Sequence, residues 1–477
     1  MKIGFLFMVL ALLTGNLKNA CGQSARRPNI IIILADDLGW ADVGFHGSKI
    51  KTPHLDQLAR EGVILSRYYT APICSPTRAG LMTGRYPNRF GLRQTVVPPW
   101  SSFGVDVTEE YIPQMLQQAG YANRAVIGKW HLGHASRKYL PLQRGFTHFY
   151  GHYNGAINYF THEREGELDW HNDEQTSYDK GYSTDLISDE AVRCIKKYAA
   201  EDPPFFMYVA YNAPHGPLQA KKEDLLLYGY DESKPGFGKP GGGEADGEGA
   251  EGRGNTRWQT YAAMVTCMDR GIGRILQTLK DLNIDDNTLV LFHSDNGAAP
   301  GEGGSSGELR GLKFQEWDGG VRSPAIIKWP NGFKGGRTVR QVIGYVDVAP
   351  TLRAIAGVKT APAKPYDGVD MLAVLKGDKK EIDRNFYLGY GSIIHNQWKL
   401  VKANSGNNKM VHTEDMLFNI LADPFEKKDV KAQHPDIYWQ LNELVATYDE
   451  IKPAVEVPPY GQGRKGYKAP REWKITQ

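Results

Sequence analysis

The sequence predicts an α/β fold, in which helices flank a doubly wound mixed sheet and a smaller α+β domain with an antiparallel sheet follows. Residues 29–34, 205–210 and 288–293 are short apolar runs, rich in β-branched or aromatic side chains, which are typical of strands buried on both faces. Segments with apolar residues at helical spacing alternate with these runs. Such alternation indicates a sheet whose functional residues lie at the carboxyl ends of its strands.

The other elements of the larger domain follow in chain order. Residues 52–62 predict a helix that stops at Gly62, because glycine is common directly after the last helical turn. Residues 113–120 predict a second helix, and residues 121–127 predict a strand. Apolar side chains recur at helical spacing over residues 261–276 and predict a longer helix.

The pattern of predicted elements changes after residue 365, where the alternation of buried strands and helices ends. We therefore expect a catalytic domain over residues 27–365 and a smaller C-terminal domain over residues 366–477. Residues 386–401 and 415–420 predict strands of an antiparallel sheet, and residues 435–448 predict a helix.

One glycine-rich segment interrupts the catalytic domain. Residues 236–254 hold nine glycines in nineteen positions. This composition predicts a flexible surface insertion, because glycine-rich chains do not favour one conformation.

Composition excludes several classes of protein. The chain has 477 residues, with 57 Lys and Arg against 54 Asp and Glu, so its formal net charge is +3. Four cysteines are too few for a disulfide scaffold, and a mean hydropathy of −0.46 excludes a polytopic membrane protein. A nearly neutral chain also lacks the broad positive field of a nucleic-acid binder. We therefore expect neither a nucleic-acid partner nor a transmembrane segment.

Residues 1–20 predict a secretory signal peptide. Lys2 precedes an apolar run over residues 3–13, which is too short to span a bilayer as a helix. Cleavage removes two lysines and no acidic residue, which leaves a net charge of +1. We expect a secreted or periplasmic protein. Lipid attachment at Cys21 is the alternative, which Lys18 disfavours because lipoprotein signals prefer an aliphatic residue there.

A pair of acidic residues follows one predicted strand, and an acidic and an amide residue follow another. Asp36 and Asp37 come after the first strand, and Asp295 and Asn296 come after the strand at 288–293. The ends of two strands of one sheet can meet at one crevice. Carboxylate and amide oxygens suit a hard divalent cation such as Ca²⁺ or Mg²⁺. The alternative for each pair alone is a loop cap or a turn.

A cysteine and an arginine share a predicted helix start. Pro76 suits the first turn of a helix that begins near Cys74, because its missing N–H costs little there. Cys74 and Arg78 are then four residues apart on one face, next to backbone N–H groups that attract anions. The alternative is that Cys74 is a small buried hydrophobic residue.

Four further cations are candidate site residues. Lys129 and His131 follow a predicted strand and would point the same way on an extended segment. His215 follows the strand at 205–210, and Lys313 lies in a glycine-containing segment. Taken singly, each is a surface cation or a hydrogen-bonded histidine more often than a catalytic residue.

Several motifs occur in a fixed order along the chain. They are Asp36-Asp37, Cys74-x-Pro76-x-Arg78, Gly128-Lys129-Trp130-His131-Leu132-Gly133, His215 and Asp295-Asn296-Gly297. In order and spacing, this set resembles the type I sulfatases, formylglycine-dependent members of the alkaline-phosphatase superfamily, over residues 27–430. Other motifs resemble the arylsulfatase B branch, which is N-acetylgalactosamine-4-sulfatase-like. These are Leu140-Pro141, Arg144-Gly145-Phe146, His162-Glu163-Arg164, Arg310-Gly311-x-Lys313 and Trp317-x-Gly319-Gly320-Val321-Arg322.

The resemblance implies an alkaline-phosphatase-like fold and a modified active site. Cys74 would be oxidised after translation to Cα-formylglycine (3-oxoalanine) by a maturating enzyme that reads Cys74, Pro76 and Arg78. One Ca²⁺ would be bound, and its implied ligands are Asp36, Asp37, Asp295, Asn296 and the modified Cys74. The implied catalytic residues are Cys74 as nucleophile, Arg78, Lys129, His131, His215 and Lys313.

The implied activity is hydrolysis of sulfate esters by a secreted or periplasmic enzyme, with release of inorganic sulfate. Ca²⁺, Lys129 and Lys313 would stabilise negative charge, and His215 would protonate the leaving alcohol. One alternative is a phosphatase or phosphodiesterase of the same superfamily, although these generally use two Zn²⁺ ions, for which Asn296 is a weak ligand. The other alternative is an inactive homologue that binds sulfated glycans.

A cluster of histidines and arginines indicates a sulfated carbohydrate as substrate. Six of the 13 histidines fall within residues 131–171. We expect His134, Arg137, His162 and Arg164 to line a substrate pocket for an algal polysaccharide or a glycosaminoglycan. The alternative is a solvated loop with ordinary core histidines.

Cys194 and Cys267 each lie on a predicted helix. They predict two buried free thiols, and a disulfide between them is the alternative in an oxidising compartment.

Overall fold

The computed structural model describes residues 26–93, 95–201, 203–238 and 251–476. The strands of these residues, in chain order, are β1 (Asn29–Ala35), β2 (Val63–Leu65), β3 (Tyr68–Tyr69), β4 (Asn123–Lys129), β5 (His148–His152), β6 (Glu163–Arg164), β7 (Glu167–Leu168), β8 (His171–Asn172), β9 (Gln175–Thr176), β10 (Phe205–Ala210), β11 (Thr288–Ser294), β12 (Arg322–Ser323), β13 (Ala325–Lys328), β14 (Arg337–Val339), β15 (Ile343–Gly344), β16 (Asn385–Gly389), β17 (Ser392–His395), β18 (Trp398–Val401) and β19 (Met416–Asn419). The α-helices are α1 (Pro53–Glu61), α2 (Cys74–Thr83), α3 (Ile112–Gln117), α4 (Ser183–Ala199), α5 (Lys222–Leu226), α6 (Arg257–Asp281), α7 (Asp318–Val321), α8 (Val348–Ala356), α9 (Leu372–Lys376) and α10 (Pro435–Asp449).

The largest sheet of the described residues has ten strands in the order β14-β2-β13-β11-β1-β10-β4-β5-β8-β9. Its centre, from β11 to β5, is parallel, and antiparallel strands flank it on both sides. The side chains of β1 alternate between two cores, with Ile30, Ile32 and Leu34 on one side and Ile31 and Ile33 on the other. Helices α2, α3 and α8 contribute to the first core, and α1, α4 and α6 contribute to the second. The predicted doubly wound mixed sheet is confirmed.

The observed bounds of the elements agree best with the predicted bounds where the apolar pattern of the sequence is uninterrupted. Strand β10 has the predicted bounds, and α1 lies within the predicted helix at 52–62. Helix α3 ends three residues before the predicted end at residue 120, because Gly120 has φ +80° and closes a turn. The following strand, β4, extends to Lys129 rather than 127, because it pairs with β5 up to His152.

The C-terminal region contains the predicted antiparallel sheet, with strand order β16-β17-β18-β19. Helix α10 packs against this sheet. The apolar residues Phe386, Ile393 and Leu400 of the antiparallel sheet belong to the same core as one face of the large sheet. The domain boundary at residue 365 stays a prediction.

Several predictions fall on parts of the chain that the structure does not describe. The signal peptide over residues 1–20 and the lipid site at Cys21 lie outside the described residues, as does most of the glycine-rich segment. The described flanks of that segment are joined by a hydrogen bond of 3.0 Å from the Phe237 N–H to the Gly254 carbonyl. Within the described ranges, no helix combines the length and the apolar character needed to span a membrane.

Cys194 and Cys267 are buried free thiols in the structure. The thiol of Cys194 donates to Glu190 over 3.5 Å, and that of Cys267 donates to Asp185 over 3.6 Å. The prediction of two free thiols agrees with this arrangement.

A buried ion triad joins the C-terminal sheet to helix α7. Lys399 Nζ lies 2.7 Å from both Asp318 Oδ1 and Glu426 Oε1, and the side chains of all three residues are inaccessible to solvent. We expect Lys399→Met to lower the free energy of unfolding by about 3–5 kcal/mol, because it leaves the buried Glu426 without a counter-charge and leaves Asp318 with only Arg322, 3.4 Å away. Urea unfolding measures this loss. The control is Lys427→Met, which breaks an exposed pair with Glu308 and should cost less than about 1 kcal/mol. Equal losses in the two variants would show that the triad adds nothing to stability.

Candidate active site

The acidic pairs meet at the carboxyl edge of the large sheet. Strands β1 and β11 are parallel neighbours, with Ala35 opposite Ser294, so the residues that follow them lie side by side. The backbone N–H of Asp37 donates to Asp295 Oδ1 over 3.2 Å, and Asn296 Nδ2 donates to Asp37 Oδ1 over 2.6 Å. The predicted meeting of the two strand ends is confirmed.

The oxygens at this edge fit a divalent cation. In the described structure, Asp36 Oδ1 and Asn296 Oδ1 are buried and accept no hydrogen bond, which is costly unless a cation or water contacts them. Asp36, Asp37, Cys74 and His215 each offer an atom within 4.8 Å of the others. The carboxylates of Asp36 and Asp37 and the amide oxygen of Asn296 are hard oxygen donors, which suit Ca²⁺ or Mg²⁺.

The three carboxylates differ in electrostatic environment. Burial and the charge of Asp36 raise the pKa of Asp295 to about 6, although the charges of Arg78 and Lys129 act in the opposite direction. Burial also raises the pKa of Asp37, but Lys313 and His215 act more strongly and leave it well below its usual value. A site with this much negative charge is held together by the cations around it.

Helix α2 begins at Cys74, as predicted, and presents Cys74 and Arg78 to the same cluster. The Arg78 side chain is fully buried, and its Nε and NH2 groups donate to Asp295 Oδ2 over 3.0 and 2.9 Å. Burial raises the pKa of the Cys74 thiol to about 12, so the unmodified side chain stays protonated at neutral pH. An unmodified Cys74 is therefore a poor nucleophile.

Lys129 and His131 both reach the cluster, but not on an extended segment. Lys129 Nζ lies 2.5 Å from Asp36 Oδ2, with both side chains inaccessible to solvent. His131 has φ +57°, so the predicted extended backbone is wrong at this residue, although both side chains reach the cluster. The His131 Nε2 atom lies 3.1 Å from the Val97 carbonyl oxygen. Burial and the charge of Lys129 hold the pKa of His131 well below its usual range.

His215 and Lys313 approach the cluster from loops that follow β10 and β11. Lys313 Nζ lies 2.7 Å from Asp37 Oδ2, and His215 Nε2 lies 3.6 Å from the same oxygen. The His215 Nδ1 atom lies 2.6 Å from the Gly216 carbonyl oxygen. Burial lowers the pKa of His215 to about 3, because Lys313 and Lys129 offset the favourable charge of Asp37. His215 is therefore neutral in the free protein.

These side chains lie on a cavity of about 490 Å³. Five of the predicted catalytic and metal-ligand residues contribute to its lining: Asp37, Cys74, His131, His215 and Lys313. The remaining walls come from loops, including residues 95–99, 155–156 and 299–302. A cavity of this size with a few convergent charged groups is typical of an enzyme site for a small molecule or one end of a larger one.

Of the four predicted substrate-contact residues, Arg164 alone is among the described residues that line this cavity. His134 Nε2 lies 3.1 Å from the Pro99 carbonyl oxygen, and its ring packs against Trp473. The ring of His162 stacks on Trp170, with its Nε2 3.0 Å from the carbonyl oxygen of residue 181.

Arg137 pairs instead with Glu174 at 2.7 Å, and its side chain is 58% exposed. Together with His134 and His162, it lies away from the cavity lining.

Two aromatic residues of the cavity had not been predicted from the sequence. Phe314 directly follows Lys313, and Tyr460 belongs to the segment after α10. Tyr460 lies far along the chain from every motif, so no local pattern could have indicated it. The only signal for Phe314 is an aromatic residue beside a candidate catalytic lysine.

Comparisons with known proteins agree with this geometry. A protein-family model described as Sulfatase matches residues 28–358. Arylsulfatase J from Mus musculus is 32% identical over 489 residues, which cover 91% of this chain and 77% of that protein. N-acetylgalactosamine-6-sulfatase from Mus musculus is 33% identical over 388 residues, which cover 76% of this chain and 69% of that protein.

A solved structure supports the fold over nearly the whole chain. The crystal structure of Ps i-CgsB in complex with k-i-k-neocarrahexaose matches with a TM-score of 0.78 and 33% identity, and covers 90% of this chain and 94% of that one. The alkaline-phosphatase-like fold is thereby confirmed, and the named relatives are compatible with the predicted branch. They favour a sulfatase over the phosphatase and over the inactive glycan-binding homologue. The chain therefore belongs to the sulfatase family and is a sulfuric ester hydrolase.

Proposed function

We propose that this protein removes sulfate from a sulfated carbohydrate, using Cys74 converted to formylglycine and one bound Ca²⁺. The observation that carries the proposal is the position of Cys74 in the cavity lining, within 4.8 Å of carboxylate oxygens of Asp36 and Asp37. These carboxylates pair with the cations Lys129 and Lys313. The proposed Ca²⁺ ligands are Asp36, Asp37, Asp295, Asn296 and residue 74, supported by the unsatisfied oxygens of Asp36 and Asn296.

Two groups would complete this site. Bound Ca²⁺ would act as a Lewis acid that neutralises charge on the sulfuryl oxygens. A hydrated formylglycine would supply one hydroxyl to attack sulfur and a second hydroxyl whose loss of a proton allows sulfate to leave.

The residues of the chain have distinct roles around these groups. Lys129 and Lys313 place fixed positive charge where negative charge develops on the transferred group, which favours the transition state over the bound ester. Asp295 is the proposed base for the attacking hydroxyl. Arg78 positions residue 74, because its guanidinium is held by Asp295 one helical turn from Cys74.

Two histidines move protons in the proposed reaction. His215 directs Nε2 toward the cavity while its Nδ1 is engaged with the Gly216 carbonyl. It is neutral in the free protein, so the proposed acid must gain a proton when the anionic ester binds and offsets the charge of Lys313. His131 is the proposed base for the release step, since its ring lines the same cavity as Cys74.

The comparisons support a glycan as the substrate class. Ps i-CgsB, which is 33% identical to this chain, was solved in complex with k-i-k-neocarrahexaose. One of the two relatives from Mus musculus is named N-acetylgalactosamine-6-sulfatase. Arg164 on the cavity wall would contact an anionic or hydroxyl group of such a substrate. We propose an algal polysaccharide or a glycosaminoglycan fragment.

Secretion and maturation complete the proposal. The signal-like residues 1–20 support export to the periplasm or outside the cell, with lipid attachment at Cys21 as the alternative. Cys74, Pro76 and Arg78 are all buried in the folded chain. A maturating enzyme that reads this motif must therefore act before the chain folds.

Sulfate release from a panel of defined glycans tests the proposed function. We expect release from at least one sulfated oligosaccharide with Ca²⁺ present, loss of release when Ca²⁺ is chelated, and recovery when it is restored. Matched phosphate esters should react more slowly. Phosphate release without sulfate release would contradict the proposal, and activity that survives chelation would contradict the Ca²⁺ site.

The role of His215 can be separated from general damage to the site. We expect His215→Ala to lower kcat by about 10²–10⁴-fold on a sugar sulfate and by much less on an activated aryl sulfate, whose leaving group needs no proton. Comparing kcat for the two substrates measures this difference. His395→Ala on β17 is the control, since His395 does not line the cavity, and it should change neither rate. Equal losses on both substrates would count against His215 as the acid.

A further inference from the structure

The segment after α10, residues 450–476, returns to the cavity and is called the tail here. Its Trp473 is fully buried and donates from Nε1 to the Arg164 carbonyl oxygen over 3.0 Å. One residue earlier, the Glu472 N–H donates to Glu167 Oε2 over 2.9 Å. These contacts fix the β6–β7 hairpin, which carries Arg164 into the cavity wall.

The tail also places an aromatic side chain in the cavity. Trp100 Nε1 donates to the Tyr460 carbonyl oxygen over 2.6 Å, and the two rings pack edge to face with centroids 5.2 Å apart. Although it is held in this way, Tyr460 is 41% exposed and lines the cavity. A fixed aromatic ring that stays exposed on a cavity wall is available to a ligand.

A second exposed aromatic side chain lines the same cavity. Phe314 is 40% exposed and has φ +76°, a conformation that bulky residues rarely adopt. Its N–H donates to the Pro72 carbonyl oxygen and its carbonyl oxygen accepts from Asn407 Nδ2, both over 2.8 Å. The surrounding chain therefore holds the Phe314 backbone in a strained conformation directly after Lys313.

We propose that Tyr460 and Phe314, together with Arg164, form a carbohydrate subsite that binds the sugar residue next to the sulfated one. The C–H groups on one face of a sugar ring pack against aromatic rings, and a guanidinium binds the hydroxyl, carboxylate or sulfate groups at the ring edge. The sulfate ester itself would lie at Cys74, which lines the same cavity. This inference rests on the proposed function, and it makes the tail a determinant of specificity.

The test compares substrates that do and do not reach the subsite. The probes are a sulfated carrageenan hexasaccharide, a chondroitin sulfate hexasaccharide and 4-nitrophenyl sulfate. We expect Tyr460→Ala to raise KM about tenfold on the hexasaccharide that the enzyme hydrolyses, with kcat/KM for 4-nitrophenyl sulfate unchanged. Tyr460→Phe should retain most of the hexasaccharide activity, because it keeps the aromatic ring. The control is Trp439→Ala, which removes an aromatic residue that is 59% exposed on α10.

The outcomes separate this subsite from the proposed function. Hexasaccharide hydrolysis that Tyr460→Ala leaves unchanged would overturn the subsite alone, and so would equal losses on the hexasaccharide and on 4-nitrophenyl sulfate. If the wild-type enzyme releases sulfate from 4-nitrophenyl sulfate but from no sulfated oligosaccharide of the panel, the proposed glycan substrate is wrong and the subsite falls with it.

Discussion

Replacing Cys74 with serine is expected to lower kcat for sulfate release by at least about 10⁴-fold. A serine offers one hydroxyl where a hydrated formylglycine offers two, so a first attack on sulfur would leave no second group to expel sulfate. The side chains differ little in size, and Cys74 lies at the start of α2, where serine is well tolerated. The loss should therefore appear in turnover and not in folding. Steady-state sulfate release and thermal unfolding, measured on the same preparation, check both statements.

The two other described cysteines provide matched controls for this substitution. Cys194 and Cys267 are also buried and free, but they lie on α4 and α6 away from the cavity lining. Cys194→Ser and Cys267→Ser should retain sulfate release. If Cys74→Ser turns over as well as these variants do, residue 74 is not the nucleophile and the proposed mechanism fails.

Lys313→Met is expected to lower kcat/KM for sulfate release by about 10²–10³-fold. The substitution keeps much of the side-chain volume and removes the charge that lies 2.7 Å from Asp37 on the cavity wall. Fixed positive charge at this position is most valuable when negative charge develops on the transferred group, so kcat should fall more than substrate binding does. Separate measurement of kcat and KM checks this expectation.

Lys328 offers a control with a similar ion pair outside the site. Its Nζ lies 2.5 Å from Glu61 Oε2, and its side chain is 12% exposed, against 7% for Lys313. Lys328→Met breaks a lysine–carboxylate pair but leaves the cavity intact, so its activity should match the wild type. Similar losses in both variants would show that the effect of Lys313→Met comes from structural damage, and not from lost charge in the reaction.

The sheet was predictable because its central strands are uninterrupted apolar runs. Such runs are bounded by polar or turn residues, which is why the bounds of β10 agree with the prediction and β11 differs by one residue. The weaker elements between them were displaced by two or three residues. Helix α3 and strand β4 depend on a turn at Gly120 and on pairing with β5, and neither is visible in a local pattern.

The floor of the site was predictable for a related reason. Residues at the ends of parallel neighbours are brought together by strand register, so Asp36, Asp37, Asp295 and Asn296 converge without any further information. The conformation of His131 was not predictable, because its positive φ depends on the packing of the loop that follows β4.

Most of the residues that line the cavity around the catalytic groups could not be predicted from the sequence. His134 and His162 lie near the catalytic motif in the chain, yet their rings contact backbone carbonyls and tryptophans and do not line the cavity themselves, as is usual for core histidines. Tyr460 is held at the cavity by a contact with Trp100, which lies 360 residues earlier in the chain. Such long-range contacts leave no local pattern, so specificity residues are harder to predict than catalytic ones.

The near-neutral charge of the chain is compatible with an anionic substrate. Buried cations and carboxylates are paired at the site, as in Lys129 with Asp36 and Lys313 with Asp37. The substrate anion would thus meet a small cationic wall and not a broad positive surface. In the proposed mechanism, recognition would depend on local geometry and on the proposed Ca²⁺ more than on long-range attraction.

The mass of the tryptic peptide over residues 68–78 tests the central claim most directly. This peptide contains Cys74, and cleavage after Arg67 and Arg78 isolates it. In protein that releases sulfate, we predict a mass that corresponds to an aldehyde in place of the thiol, with the converted fraction proportional to specific activity across preparations. An unmodified thiol at residue 74 in fully active protein would contradict the account.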